Sequence, residues 1–441
     1  MTAAPPVGAP LALPGGGLRV GANYTPSRGW FHSWMDLDLD EVRRDLDSVA
    51  EMGLDHVRVF PLWPLLQPDR SLVRARAVED VVAVVDLAAE RGLATSVDAL
   101  QGHLSSFDFL PAWVVTWHRR SLFTDEDVVA AQERLVTALA AALADRPGFL
   151  GLGLGNETNQ FAHPYHPDPS PLGAEQASVW LARLLAAADR AAPGGQHTHS
   201  ADDDVWFRDS SAVTPAHATA LGAATTVHSW VFRDGVRDLG PCSEGQLLHA
   251  RYLLELAAGA AQDPGRCVWL QEVGAPEPQV PPGRAGDFLA GTLERVVGAP
   301  GLAAVTWWCS HDVDAGLADF PPLEHGLGLM TSERRRKPAA DALVELLPDL
   351  RRPCAPHAGD RDGLLVPGLG EPGARSATSP TGEVAAAWRE VASDGEPPAL
   401  VTPQDAADPA RLRARGVRRL VEVAEVAAGR GHGAVVGASA P

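Results

Sequence analysis

Eight short apolar runs, each followed by a stretch of helical period, recur along most of this 441-residue chain, and that alternation restricts its fold more than any other feature. The runs fall at 18–24, 56–60, 94–99, 149–155, 197–201, 224–229, 267–272 and 302–309. Strand-like runs alternating with helices build βα units around a parallel sheet. Eight such units close most economically as a (β/α)8 barrel, an α/β fold. Between the first two runs Val42, Leu46 and Val49 recur at helical spacing, and Gly53 follows where a C-capping glycine belongs. Residues 78–91, ending at Gly92, repeat that grammar.

The chain is too long for one ordinary domain of roughly 100–200 residues, but it suits a barrel of about 250 residues enlarged by insertions, with a small extra unit. Residues 1–16 read as an N-terminal extension, 17–350 as the barrel, and 351–441 as a small α/β domain whose start is marked by Pro- and Gly-rich segments. That last part carries no catalytic grouping, so packing, capping or homo-oligomerisation is its expected role.

Composition removes several classes of function. No apolar run approaches the ~18–20 residues needed to span a bilayer. A net charge of −19 disfavours nucleic acid and anionic membrane as partners, since both require a positive surface. A neutral ligand such as a sugar is compatible. Cys242, Cys267, Cys309 and Cys354 form neither a disulfide framework nor a metal spacing, and the first residues lack the basic start and apolar segment of a secretory signal. A cytoplasmic protein with reduced thiols is the expectation.

Two glutamates stand out within this frame. Glu157, in Leu-Gly-Leu-Gly-Asn156-Glu157, and Glu272, in Val-Trp269-Leu-Gln-Glu272, each close a buried-looking strand as it enters a loop. Barrel enzymes place their chemistry at these C-terminal strand ends. Hydrolysis of a glycosidic bond needs two carboxyl groups, one protonated and one ionised, across the scissile bond. Tryptophan supports a sugar site, because pyranose C–H faces pack on aromatic planes. Eleven of the twelve tryptophans precede residue 309.

The stretch from about 17 to 347 resembles glycoside hydrolase family 5, retaining (β/α)8 enzymes with Asn-Glu ending the fourth strand and a glutamate ending the seventh. The resemblance implies that Glu157 is the acid/base, Glu272 the nucleophile, and Asn156 a ligand of the sugar 2-hydroxyl. It further matches Arg58 to an arginine beside the nucleophile, His228 to a sixth-strand histidine and Trp307 to an eighth-strand tryptophan. His103 and Trp230 complete the expected substrate-binding set. One departure is clear: the family commonly has His-x-Tyr after the sixth strand, whereas this chain has His228-Ser-Trp230. The tyrosine hydroxyl that would reach the nucleophile is missing, leaving the Trp230 indole N–H or a sugar platform in its place. The strings Asn-Tyr-Thr-Pro-Ser-Arg-Gly-Trp-Phe-His-Ser-Trp and Thr-Trp-Trp-Cys-Ser-His-Asp resemble a mannosidase-type, actinobacterial branch of the family.

The expected activity is therefore retaining hydrolysis of a β-linked mannoside, with a β-glucan as alternative and no cofactor. Arg58 is expected to keep Glu272 ionised while Glu157 holds a proton, the two carboxyl groups lying about 5–5.5 Å apart. Short oligosaccharides are the expected substrates, bounded by loops at 30–36, 101–117 and 160–171. The cluster His197-Thr-His199-Ser-Ala-Asp202-Asp203-Asp204 invites a metal reading, but alternate residues on a strand are cofacial anyway, and no catalytic metal is expected. Asp312 and Asp314 could line a sugar subsite or cap a helix, and His311 beside them is no triad partner, which would be defined by geometry. A binding protein that kept the barrel without turnover is disfavoured because both carboxylates remain. A metal-dependent amidohydrolase would require inhibition by chelators.

Overall fold

The computed structural model describes residues 5–101, 103–117, 120–233, 235–353, 361–393, 395–429 and 434–435. Seven parallel strands form the barrel sheet: Arg19–Asn23, His56–Val59, Ala94–Asp98, Phe149–Gly153, Thr225–Ser229, Val268–Val273 and Leu302–Trp307. The first strand pairs with the second on one side and with the last on the other, so the sheet curls around its own starting point. Its two outer strands are Phe149–Gly153 and Thr225–Ser229.

The fifth position differs from expectation. Residues 197–201 do not form a ladder; they make a single parallel bridge between Thr198 and Gly153. Thr198 exchanges two backbone hydrogen bonds with the fourth strand, donating to Leu152 and accepting from Leu154. On the other side Ala223 N donates to His197 O at 2.7 Å, and Thr226 Oγ1 to His199 O at 2.8 Å. These few bonds close the (β/α)8 barrel. Glycine in the fourth strand explains the close approach: a Cβ on Gly151 would lie 2.4 Å from the Gln196 backbone. At Gly153 a Cβ would lie 2.2 Å from Asp98 Oδ1.

Helices cover the outside. The first, Leu39–Glu51, buries Val42, Leu46 and Val49 as the periodicity predicts, and the Asp38 side chain accepts from the Asp40 and Glu41 amides at its start. Gly53 and Gly92 both have φ of 78°, the left-handed conformation that ends these helices without Cβ strain. The chain ahead of the first strand covers the barrel floor, where Leu11 packs with Trp269, Ala303 and Ala304.

Beyond residue 360 a second sheet contains Ala399–Val401, Arg361–Leu365 and Val417–Glu422 in parallel, with Ala434–Val435 antiparallel at its edge. Its apolar face, with Leu364 and Leu400, and the helix Glu383–Ser393, with Trp388, belong to the same continuous core as the barrel. An ion cluster also joins the two parts: Glu255, fully buried on the helix His249–Ala260, accepts from Arg361 Nη1 at 2.6 Å and from Arg251 at 3.1 and 3.2 Å. Burial works against the charged Glu255, but the two arginines outweigh it and hold its pKa below the ordinary value. Removing one partner of such a cluster leaves a buried charge uncompensated. Glu255→Gln is expected to lower stability by about 3–5 kcal/mol, read as a fall in the urea midpoint. An unchanged midpoint would show that this cluster does not fasten the second sheet to the barrel.

Candidate active site

Arg58, fully buried on the second strand, gathers the mouth of the barrel around one guanidinium. Its Nη1 donates to Glu272 Oε1 at 2.9 Å and to Asn23 Oδ1 at 3.3 Å. Nη2 donates to Asp98 Oδ2 at 2.5 Å, Asn156 Oδ1 at 2.8 Å and Ser200 Oγ at 3.3 Å, while Nε donates to Asp98 Oδ1 at 3.1 Å. Asp98 thus takes the forked, two-bond contact that suits a guanidinium.

The two glutamates reach this centre by different local devices. In the pairing of the sixth and seventh strands, Val227 faces Leu270 but His228 faces Glu272, so one extra residue is accommodated at Gln271. A bulge of this kind re-aims side chains. Consecutive residues accordingly serve the site: Gln271 Oε1 meets His228 Nε2 at 3.1 Å, and Glu272 meets Arg58. Glu157 follows the fourth strand in the left-handed region, with φ 44° and ψ 43°. That conformation costs a non-glycine residue about 1–2 kcal/mol and turns its carboxylate toward Glu272.

One oxygen of Glu157, one of Glu272 and one nitrogen of His228 all lie within 4.8 Å of one another. This spacing suits a pair of carboxyl groups working on one bond with retention. His228 Nδ1 is 2.6 Å from Glu157 Oε1 and 3.4 Å from Glu272 Oε2. Burial opposes the imidazolium, but the charge of Glu272 and the hydrogen bond and charge of Glu157 outweigh it, raising His228 to about 8.

The electrostatics differ from the expectation that Arg58 alone sorts the two glutamates. Burial would raise Glu157, yet the hydrogen bond and charge of His228 hold it below its ordinary value. For Glu272 burial, joined by the charge of Glu157, outweighs His228 and Arg58 and pushes it up. Glu157 and His228 therefore share one proton across a 2.6 Å contact. A short shift of that proton converts imidazolium and carboxylate into imidazole and carboxylic acid, so the pair stores the proton and titrates as a unit.

Other expected site residues divide. Asn156 links Arg58 to the backbone of His103, to whose carbonyl its Nδ2 donates at 3.3 Å. Trp230 Nε1 donates to Glu272 Oε2 at 3.2 Å, so an indole occupies the role left open by the missing tyrosine hydroxyl. His103 lines the pocket and bonds Asp108 at 3.0 Å. Trp307 is a correction: it is 1% exposed and lies outside the pocket, whereas Trp308 forms part of its wall. Strand alternation explains the switch. Thr306 Oγ1 faces the barrel interior, meeting His56 and Trp269 at 2.7 Å, so Trp308 shares that face and Trp307 does not.

The pocket, of about 200 Å³, also contains residues that sequence reasoning missed. Glu324 comes from the loop after the last strand, and Gln160 bonds Glu157 from the turn that follows it. Arg233 bridges Asp202, Asp203 and Asp204 at 3.3, 3.0 and 2.8 Å. Asp203, pushed up to about 7 by burial and by its two acidic neighbours against the pull of Arg233, lies on the pocket wall. The adjacent acids were visible as a sequence cluster, but their partner Arg233 carried no local signal. His197 and His199 do not join them: His197 bonds Leu152 N and Ala192 O at 3.0 Å, and His199 bonds His217 O at 3.2 Å. Asp312 pairs with Lys337 at 2.7 Å, and His311 is buried against Ser310 and Thr25. Cys354 lies outside the described residues.

Two facing carboxylates at a barrel mouth, one braced by arginine and one hydrogen-bonded to histidine, are what hydrolysis of a glycosidic bond requires, and the class this site fits is the glycoside hydrolases. Comparison with solved structures gives the family. GH5_18 from Streptomyces cattleya, in a glutamate-to-alanine variant complexed with Manβ1-4GlcNAc, is 51% identical; the match covers 93% of this chain and 100% of that one, with a TM-score of 0.90. GH5_18 from Bifidobacterium longum subsp. infantis is 42% identical over 95% of this chain and 98% of its own, with a TM-score of 0.88. An exo-β-1,4-mannosidase from Opitutaceae bacterium strain TAV5, 20% identical over 92% of this chain and 72% of its own with a TM-score of 0.74, shares the fold. No family model and no curated protein matches. The chain belongs to glycoside hydrolase family 5, in its subfamily 18.

Two outcomes follow from this geometry. The Glu157–His228 pair keeps its proton below about pH 8 and loses it above, so the rate is expected to fall on the alkaline side with a limb near 8. His228→Asn should move that limb to lower pH; an unmoved limb would show that His228 does not hold the proton. Trp230→Phe removes a hydrogen bond to the Glu272 carboxylate worth about 1.5–3 kcal/mol, and kcat should fall roughly 10- to 100-fold.

Proposed function

We propose that this protein hydrolyses the β-mannosidic bond of short oligosaccharides of the Manβ1-4GlcNAc kind, with net retention of configuration. The observation that carries the reading is the mutual placement of Glu157, His228 and Glu272 within 4.8 Å, in a barrel 51% identical to one complexed with that disaccharide.

Glu157, drawing on the proton it shares with His228, acts as general acid toward the glycosidic oxygen as the bond to the anomeric carbon breaks. Glu272 attacks that carbon and forms a glycosyl ester. Arg58, at 2.9 Å, and Trp230, at 3.2 Å, keep its carboxylate aimed while charge moves from it to the sugar. Glu157, now ionised, takes a proton from water, which attacks the same carbon from the opposite face, releases Glu272 and restores the starting state. Asn156, fixed by Arg58, is placed to hold the 2-hydroxyl.

Release of nitrophenol from the β-mannoside, β-glucoside and β-galactoside tests substrate and mechanism together. The mannoside is expected to be turned over fastest, and Glu272→Ala to lose on the order of 10³-fold or more of that rate, with partial rescue by azide. Proton NMR of the first product should show the β anomer. Full activity in Glu272→Ala, or an α anomer first, would sink the assignment.

A further inference from the structure

A cavity of about 230 Å³ lies at the other end of the barrel, between its floor and the second sheet. Val268 and Leu302, the first residues of two barrel strands, line it together with Arg361, which begins a strand of the second sheet. Arg411, on the helix Pro409–Ala414, and Arg415 just beyond it complete that wall. The cavity shares no lining residue with the catalytic pocket. Its lining is opposite in sign to the chain as a whole: five arginines and two aspartates, in a protein of net charge −19. Both aspartates are engaged, Asp263 by the Gly265 amide at 2.8 Å and Asp405 by Arg411.

Two of the arginines are short of partners. Arg361 is 2% exposed and Arg415 9%. Arg361 donates from Nε to the Arg415 carbonyl at 3.0 Å and from Nη1 to Glu255 at 2.6 Å, but among the described residues its Nη2 has no hydrogen-bond partner. Arg415 donates from Nη1 to the Leu400 carbonyl at 2.7 Å, and its Nε and Nη2 have none. Glu255 Oε2 is likewise unpartnered, but Glu255 is not on the cavity wall. The Nε and Nη2 edge is the one with which Arg58 holds both oxygens of Asp98. Such a fork recognises carboxylates and phosphates by two bonds at once. A buried donor without an acceptor is costly. Burial, joined by the charges of Arg361 and Arg411, also lowers the pKa of Arg415 in spite of Glu255 and Asp405, so an anion arriving here relieves the imbalance.

We propose that this cavity binds a phosphate group, free or as the monoester of a small metabolite, with the fork of Arg415 and Nη2 of Arg361 on its oxygens. Phosphate fits better than carboxylate: it offers three acceptor oxygens to three unspent nitrogens, and it carries close to two negative charges near neutral pH. These nitrogens are covered in the present conformer, so Arg415 turns into the cavity on its long stem as the anion enters. Leu18, Val268 and Leu302 give the rest of the cavity an apolar surface against which an organic part can lie. A phosphate held there would fasten the second sheet to the barrel floor. The site is independent of the mannosidase reading, since none of its residues touches the catalytic pocket.

Isothermal titration calorimetry of the full chain at constant ionic strength tests the proposal, with inorganic phosphate, glucose 6-phosphate and glucose as probes. A phosphate-bearing probe should bind saturably, one per chain, and raise the melting temperature with its concentration, whereas glucose should do neither. Tighter binding of glucose 6-phosphate assigns the cavity to a phosphomonoester, and tighter binding of inorganic phosphate assigns it to the free ion. Arg415→Met keeps the apolar stem and removes the fork, so affinity should fall roughly 10- to 100-fold while aryl mannoside turnover stays unchanged. Ala414→Glu, at an exposed position of the cavity wall, sets a competing carboxylate there and should abolish binding, which keeps the test open if Arg415→Met fails to fold. Absence of saturable binding by both phosphates overturns the proposal, as does an unchanged affinity in either folded variant.

Discussion

The buried guanidinium of Arg58 is the interaction around which this barrel mouth is arranged. It touches Asn23, Asp98, Asn156, Ser200 and Glu272, and these come from four barrel strands or their ends and from the irregular fifth segment. A cation with no exposed surface requires anionic and polar partners on every side. Asp98 and Glu272 both supply negative charge, so the proposed nucleophile is also a structural counter-ion. That double duty explains why the carboxylate is held at a fixed position rather than adapting to each substrate.

Fixing Glu272 in this way leaves the second carboxylate to be tuned by another group. Histidine does this work: His228 sits between the glutamates, and the hydrogen bond that fixes its Nε2 side comes from Gln271, the residue accommodated by the bulge beside Glu272. One local irregularity in strand pairing therefore places Glu272 and orients the ring that is hydrogen-bonded to Glu157. A regular ladder would point one of the two residues toward the helices.

How much was legible in the sequence follows from this distinction. Glu157 and Glu272 could be found because each closes an apolar run, and seven strands and the helices could be placed by periodicity. Arg58 and His228 were reached through resemblance, since an arginine or a histidine in a strand carries no pattern of its own. The resemblance matches Trp307 rather than Trp308 to the eighth-strand tryptophan, and adjacent tryptophans look alike until the parity of the strand is set by an inward neighbour, here Thr306. The fifth strand was anticipated from hydrophobicity, but its ladder is not formed, because hydrogen bonds on that flank go through side chains such as Thr226 as well as backbone. Arg233 and Glu324 were missed for a simpler reason: they come from loops, and their partners lie far away in sequence.

The irregular fifth position and the strained hairpin contribute to the same end. A ladder at residues 197–201 would continue a regular strand toward the mouth, whereas one bridge lets the chain turn early into Asp202, Asp203 and Asp204, which reach Arg233 beside Glu157. In the same pocket, Ser105 and Ser106, at the turn of a short hairpin, take left-handed backbone, and the Ser105 hydroxyl reaches Glu324. Both devices sacrifice local regularity for polar groups on the wall of one pocket. Such departures persist when surrounding packing over-determines them, as the core beneath the fifth segment and the aromatic cluster behind the hairpin both do. Selectivity for what lies on each side of the scissile bond can thus vary with the loops while the chemistry, held on strands around Arg58, stays constant.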